Sequence, residues 1–174
     1  MNIYLTSGTY DYLYKKYEKK LSSEVMLLMQ ETDNDRAILL HESSSLSIFQ
    51  EPRIYEVLFS RGMLHNKGFV TLNYIPVSEE KKPIFEYNIK DYLHSLNEST
   101  IQAIRFLRPR KGDIYIIFCL WEDKSQYITW KHNSKNTDSL IGKNSDQTWN
   151  SSQHSLFNGK PYFISLTIPE EKKH

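Results

Sequence analysis

Ile101-Gln102-Ala103-Ile104-Arg105-Phe106-Leu107 and Ile114-Tyr115-Ile116-Ile117-Phe118-Cys119-Leu120-Trp121 are two apolar runs joined by the turn Arg108-Pro109-Arg110-Lys111-Gly112-Asp113. Both runs have strand length and are rich in β-branched and aromatic residues. Pro109 and Gly112 end the pairing between them, so the segment predicts a β-hairpin. In the second run Ile114, Ile116, Phe118 and Leu120 point to one side, and Tyr115, Ile117, Cys119 and Trp121 to the other. Both sides are apolar, the mark of a strand covered on both faces. Leaving either side in water would expose a large apolar patch.

Working outward, residues 69–77 alternate as a strand, and Pro76 near its end predicts an unpaired edge there. Pro83 suits a first helical position, and Phe85, Ile89, Tyr92, Leu93 and Leu96 follow as a stripe at helical spacing. Asp123 is placed to cap a second helix carrying Tyr127, Ile128 and Trp130, and residues 161–168 form the last strand. Strand, helix, strand, strand, helix, strand is the ferredoxin-like α+β order, an antiparallel sheet with two helices on one face. This domain spans residues 67–170 and leaves residues 1–66 as an N-terminal β-rich region packed on the sheet.

In that N-terminal region residues 2–6, 25–30, 37–41 and 46–49 read as strands, with turn clusters at 32–35 and 43–45. Residues 10–17 predict a helix, since Tyr10, Leu13, Tyr14 and Tyr17 fall on one face, and residues 55–59 add a helical turn. The uncovered sheet face is met either by these hairpins, giving a monomer with an intrachain barrel, or by a second copy in a homodimer. The sequence leaves both open.

Composition narrows the function classes. The 22 Lys and Arg against 21 Asp and Glu give a net charge of +1, which supplies no polyelectrolyte attraction for nucleic acid. Aromatic residues reach 13%, concentrated in the strand-like segments, where they serve sheet packing or a flat ligand. The lone Cys119 excludes a disulfide framework and a multi-thiolate metal site. The first residues lack a signal-peptide pattern, and no run approaches the ~20 apolar residues of a membrane span, so the default location is the cytosol.

No nucleophile elbow, phosphate loop, zinc helix or dinucleotide fingerprint is present. The six histidines, His41, His65, His94, His132, His154 and His174, show no close pairing of the kind zinc sites use. Asn73 is the polar residue out of place, mid-strand on the side of Phe69, Thr71, Ile75 and Val77. An unpaired carboxamide there costs roughly 1–3 kcal/mol, so Asn73 needs a partner, from neighbouring backbone or from a ligand. Trp130, on the second helix, serves either the core or a site.

Several blocks then fall into one set. Ile54-Tyr55-Glu56-Val57, Gly68 through Val77, Ala103-Ile104-Arg105-Phe106-Leu107-Arg108-Pro109 and Leu120-Trp121-Glu122 resemble the HmoB/TRAP group of antibiotic-biosynthesis-monooxygenase proteins. Tyr4-Leu5-Thr6-Ser7-Gly8-Thr9-Tyr10 and Val25-Met26-Leu27-Leu28-Met29-Gln30 fit the same group. The resemblance covers nearly the whole chain and is far weaker over residues 133–160. It implies haem chemistry of the IsdG-like type, in which haem is substrate and cofactor, oxygen and an external electron donor open the porphyrin, and a reductase is a possible partner. By the same resemblance Asn73 and Trp130 match the catalytic Asn and Trp, and Arg105 and His154 are the candidate cofactor-binding residues. The family's proximal histidine position falls at Leu140, which cannot ligate iron; His154 is the candidate haem ligand in its place. The other member of the group, TRAP, implies a non-catalytic signalling or stress-response protein on the same fold.

Overall fold

The alternation in residues 114–121 sets the architecture, because each side of that strand meets a different layer. The computed structural model describes residues 1–20, 23–45, 47, 49–97, 99–133 and 159–170. Among these lie eight strands: β1 (Asn2–Thr9), β2 (Val25–Glu31), β3 (Arg36–Ser43), β4 (Arg53–Arg61), β5 (Gly68–Pro76), β6 (Ile101–Pro109), β7 (Ile114–Trp121) and β8 (Tyr162–Ile168). Three α-helices accompany them: α1 (Tyr10–Glu18), α2 (Lys82–Ser95) and α3 (Lys124–His132). All strand pairs are antiparallel, and they close into a barrel in the order β1-β3-β2-β8-β5-β7-β6-β4, with β4 returning to β1.

Ile116, Phe118 and Leu120 of β7 point into the barrel, with Val70, Leu72 and Tyr74 from β5. The N-terminal strands meet them there with Ile3, Leu5, Leu27, Met29, Ile38 and Leu40. Tyr115, Ile117, Cys119 and Trp121 point outward and pack under α2 and α3, against Phe85, Ile89, Leu93 and Trp130. A third cluster fixes α1 to the outside of β2 and β3, through Leu13, Tyr17, Met26, Leu28 and Leu39. One chain thus covers both faces of its ferredoxin-like sheet.

Local chemistry explains the element ends. Thr9 caps α1 by accepting from the Tyr12 amide at 3.4 Å, and Asp123 caps α3 by accepting from the Gln126 amide at 2.9 Å. Pro83 sits in the first turn of α2. The Arg61 guanidinium closes the other end of that helix, donating to the carbonyls of Leu93 (2.9 Å) and Leu96. Gly68 opens β5 with φ 125°, and any Cβ there would lie 2.3 Å from the Trp121 carbonyl oxygen. Pairing of β5 with β8 stops at Tyr74, so Pro76, which has no N–H to give, meets only Ile114 of β7.

Two expectations are corrected. Residues 55–59 form part of β4 rather than a helical turn: Tyr55 and Val57 turn into the barrel, which needs a strand between β1 and β6 to close. A register shift between Val57 and Phe59 then brings Leu58 and Phe59 together against the helix-side cluster. Within residues 46–49, Ser47 and Phe49 belong to no strand, and Phe49 is instead buried in the α1 cluster. The last strand begins at Tyr162. The tract 133–153 lies, past Asn133, outside the described residues.

His41 of β3 is buried beside Tyr4 and Phe49, with its Nδ1 3.1 Å from the Ser47 hydroxyl. Burial lowers its pKa, against an opposing pull from Glu24. The folded state thus prefers neutral His41 more than the unfolded chain does. Its contribution to stability is complete above about pH 6.5 and is lost as the pH falls through the lowered folded value. Urea unfolding at a series of pH values should show stability falling as the pH drops below about 6.5, by at most about 1.4 kcal/mol per pH unit from this group. The slope should flatten in His41→Gln; an unchanged slope would assign the acid sensitivity elsewhere.

Candidate functional site

Alternation along β5 sends Phe69, Thr71, Asn73 and Ile75 to the helix-covered face, opposite to Val70, Leu72 and Tyr74. Thr71 and Asn73 are the polar intrusions on this face of β5, 2% and 7% exposed. Thr71 is satisfied: its hydroxyl accepts from the Trp121 indole N–H at 3.0 Å. Asn73, flanked across the ladder by Ile117 and Phe163, has no side-chain hydrogen bond among the described residues.

Trp130 lies on the same face. It is 6% exposed, its ring centroid 5.3 Å from that of Trp121, and its Nε1 is buried with no hydrogen-bond partner among the described residues. Between Asn73 and Trp130 runs an aromatic bridge. Tyr127, one turn before Trp130, stacks on Phe163 at 5.8 Å and 17° and meets the edge of Trp121 at 5.2 Å. Burial pushes the Tyr127 phenol up to about 12, so it stays a neutral donor. Tyr127 and Phe163 were not singled out as site residues from sequence. Their signal, an aromatic at helical spacing from Trp130 and one alternating with Tyr162, is common in any core.

The remaining predicted residues fall elsewhere. Arg105 is not brought together with Asn73 and Trp130, because it alternates with Ile104 and Phe106 and so points into the barrel. There its Nε donates to Glu42 at 2.7 Å, and Nη1 donates to the carbonyls of Arg61 (3.0 Å) and Ile104 (2.8 Å). His154 and Leu140 lie outside the described residues. Among the described histidines, His65, His94 and His132 are exposed, and His41 belongs to the α1 side. Cys119, fully buried with its thiol pushed up to about 12, is inert as a thiolate.

This face therefore holds a buried carboxamide and a buried indole N–H, neither with a side-chain hydrogen bond among the described residues, beside several flat rings. A planar ligand with a small polar group near its centre suits that donor set. Arg105 has a different task, and it can be separated experimentally. Arg105→Ala should cost about 3–5 kcal/mol in urea unfolding, because it strands Glu42 as an unpaired charge inside the barrel. The double variant Arg105→Met with Glu42→Leu should recover most of that loss. A small effect of the single change would show that the pair is not what seals this part of the barrel.

The chain is similar to known proteins along most of its length. The chain is 30% identical over 135 residues to the signal transduction protein TRAP of Staphylococcus epidermidis, covering 75% of this chain and 77% of that protein. It is 26% identical over 149 residues to a heme-degrading monooxygenase of Listeria monocytogenes, covering 84% and 87%. The fold matches a ferredoxin fold protein related to antibiotic biosynthesis monooxygenases from Listeria monocytogenes, with a TM-score of 0.71 and 23% identity over 98% of this chain and 95% of that one. No family model matches the chain.

Proposed function

The chain belongs to the HmoB/TRAP group of antibiotic-biosynthesis-monooxygenase proteins, and on that premise we propose that it binds haem on the helix-covered face of β5 and opens the porphyrin oxidatively. The carrying observation is the buried Trp130 Nε1, without a hydrogen-bond partner among the described residues, on the aromatic face that also holds the Asn73 carboxamide. Haem is here the substrate as well as the cofactor, and oxygen with an external electron donor supplies the chemistry that opens its ring and frees the iron.

This chain's own residues do the rest. Asn73, fixed by the strand, would supply an amide donor to bound haem or to the oxygen that attacks it. Trp130, backed by Trp121, would supply a flat ring against the porphyrin. Phe163 and Tyr127 exclude water from the same wall. His154 is assigned as the iron ligand, since Leu140 occupies the position where the family carries its histidine. Arg105 acts at a distance, by holding the barrel that backs this face.

A second reading has its own support: the 30% identity is to a signal transduction protein, and Leu140 removes the usual ligand. In that case the fold serves partner recognition and haem is not turned over. The described helices include none long and apolar enough to cross a membrane, and neither reading needs one.

Haem titration followed by ascorbate in air separates the two. The expected result is a saturable Soret band that decays after ascorbate. Asn73→Ala should keep the band and slow its decay by about 10²-fold, the usual cost of one preorganised donor. His154→Ala should shift the band. A stable band in wild type under ascorbate favours the signalling reading, and no band at all removes haem from both.

A further inference from the structure

The interior of the barrel carries a second chemistry, on the other side of the sheet from Asn73. Inward-facing charges occur at two levels. At one, Arg105 and Glu42 satisfy each other and are almost wholly buried. At the other, Glu31, Arg36 and Arg53 take the inward register positions of β2, β3 and β4, together with Tyr55, Tyr74 and Tyr162. This end is open, with a cavity of about 370 Å³. An eight-stranded barrel is wide enough to hold one small ligand, and barrel mouths are common places for one.

The lining joins stacked rings to side chains of both signs. Tyr74 and Tyr162, directly opposed on β5 and β8, stack with centroids 4.6 Å apart and planes 6° apart. The Tyr74 side chain is 7% exposed, yet its hydroxyl has no hydrogen-bond partner among the described residues. Burial, with the neighbouring Tyr55, Tyr162 and Glu31, pushes that phenol well up, while Arg53 pulls the other way, so both charges face it. Arg36 donates to the Ser7 hydroxyl at 3.1 Å. Arg53 hydrogen-bonds the Tyr55 side chain; Arg36 and Arg53 are exposed and Glu31 is half-buried, and none of the three forms an ion pair among the described residues.

Charge decides the ligand class. Two guanidiniums face one inward carboxylate, and Glu51 at the exposed rim balances the second, so the mouth has both signs and no net charge. A phosphate dianion would meet Glu31, and a plain hydrocarbon would use neither sign of charge at this mouth. A molecule with one charge of each sign and a flat ring matches all of it.

We propose that the open end of the barrel binds a small zwitterionic aromatic molecule of the aromatic α-amino acid class. Its ring lies against Tyr55, Tyr74 and Tyr162, its carboxylate meets Arg53, and its ammonium meets Glu31. The site is independent of the haem face, which lies across the sheet.

The test is an NMR titration of the full-length protein with L-phenylalanine, 3-phenylpropionate and phenethylamine. Phenylalanine should give saturable amide shifts confined to the strands around Leu5, Tyr55, Tyr74 and Ile164. The two probes that lack the ammonium or the carboxylate should bind at least about tenfold more weakly, one charge-assisted hydrogen bond being worth about that factor. Arg53→Gln should weaken phenylalanine about tenfold, and Glu31→Gln should do so while leaving 3-phenylpropionate unchanged. Both residues lie at the rim, so circular dichroism and haem titration should match wild type. The proposal is overturned by the absence of saturable shifts, by shifts centred on Asn73, by equal binding of phenylalanine and 3-phenylpropionate, or by Arg53→Gln binding like wild type.

Discussion

The rest of the structure depends on β7 being apolar on both sides. Burying each Ile, Leu, Phe or Trp of that strand stabilises the fold by roughly 1.5–3 kcal/mol, and no single layer can cover both faces. The helices α2 and α3 take one side and the N-terminal strands take the other, closing a barrel. Closure also removes the sheet edges that an open ferredoxin-like sheet would present to other chains.

A covered sheet separates chemistry by parity. Along β5, Thr71 and Asn73 face the helices while Tyr74 faces the barrel, so neighbours in sequence serve different environments. A slip of one residue would exchange the two sets entirely. The apolar ladder that fixes the register therefore also keeps a carboxamide in one place and a phenol in the other. Arg108 adds a lock on the helix side. It bridges Glu56 of β4 (3.0 Å) and Glu86 of α2, and the Tyr115 hydroxyl donates to Glu86 at 3.1 Å.

Much of this was legible in the sequence where local pattern carried it. The order of elements from Gly68 onward, the cap at Asp123 and the stripe of α2 follow from periodicity and side-chain chemistry alone. Residues 55–59 misled because four apolar residues around Glu56 fit a helical turn as well as a strand. Only the need to close the barrel between β1 and β6 decides between them. Arg105 is a cofactor candidate by resemblance alone. Its ion-pair partner, Glu42, is 63 residues away, and its face relative to Asn73 follows from the register through β7, which no local pattern records.

Four polar groups on one apolar face bear on a ligand at the helix side. Thr71 and the Trp121 N–H cancel one another in a 3.0 Å hydrogen bond, which shows that the fold can satisfy a polar intrusion there when nothing else is asked of it. Asn73 and the Trp130 N–H, on the same face, are left without such partners among the described residues. Each unsatisfied group costs roughly 1–3 kcal/mol, against a total stability of about 5–15 kcal/mol for a domain. A role in packing alone gives no reason to carry that cost at Trp130, since Phe there would fill similar space without it. A ligand that accepts from both groups does give one.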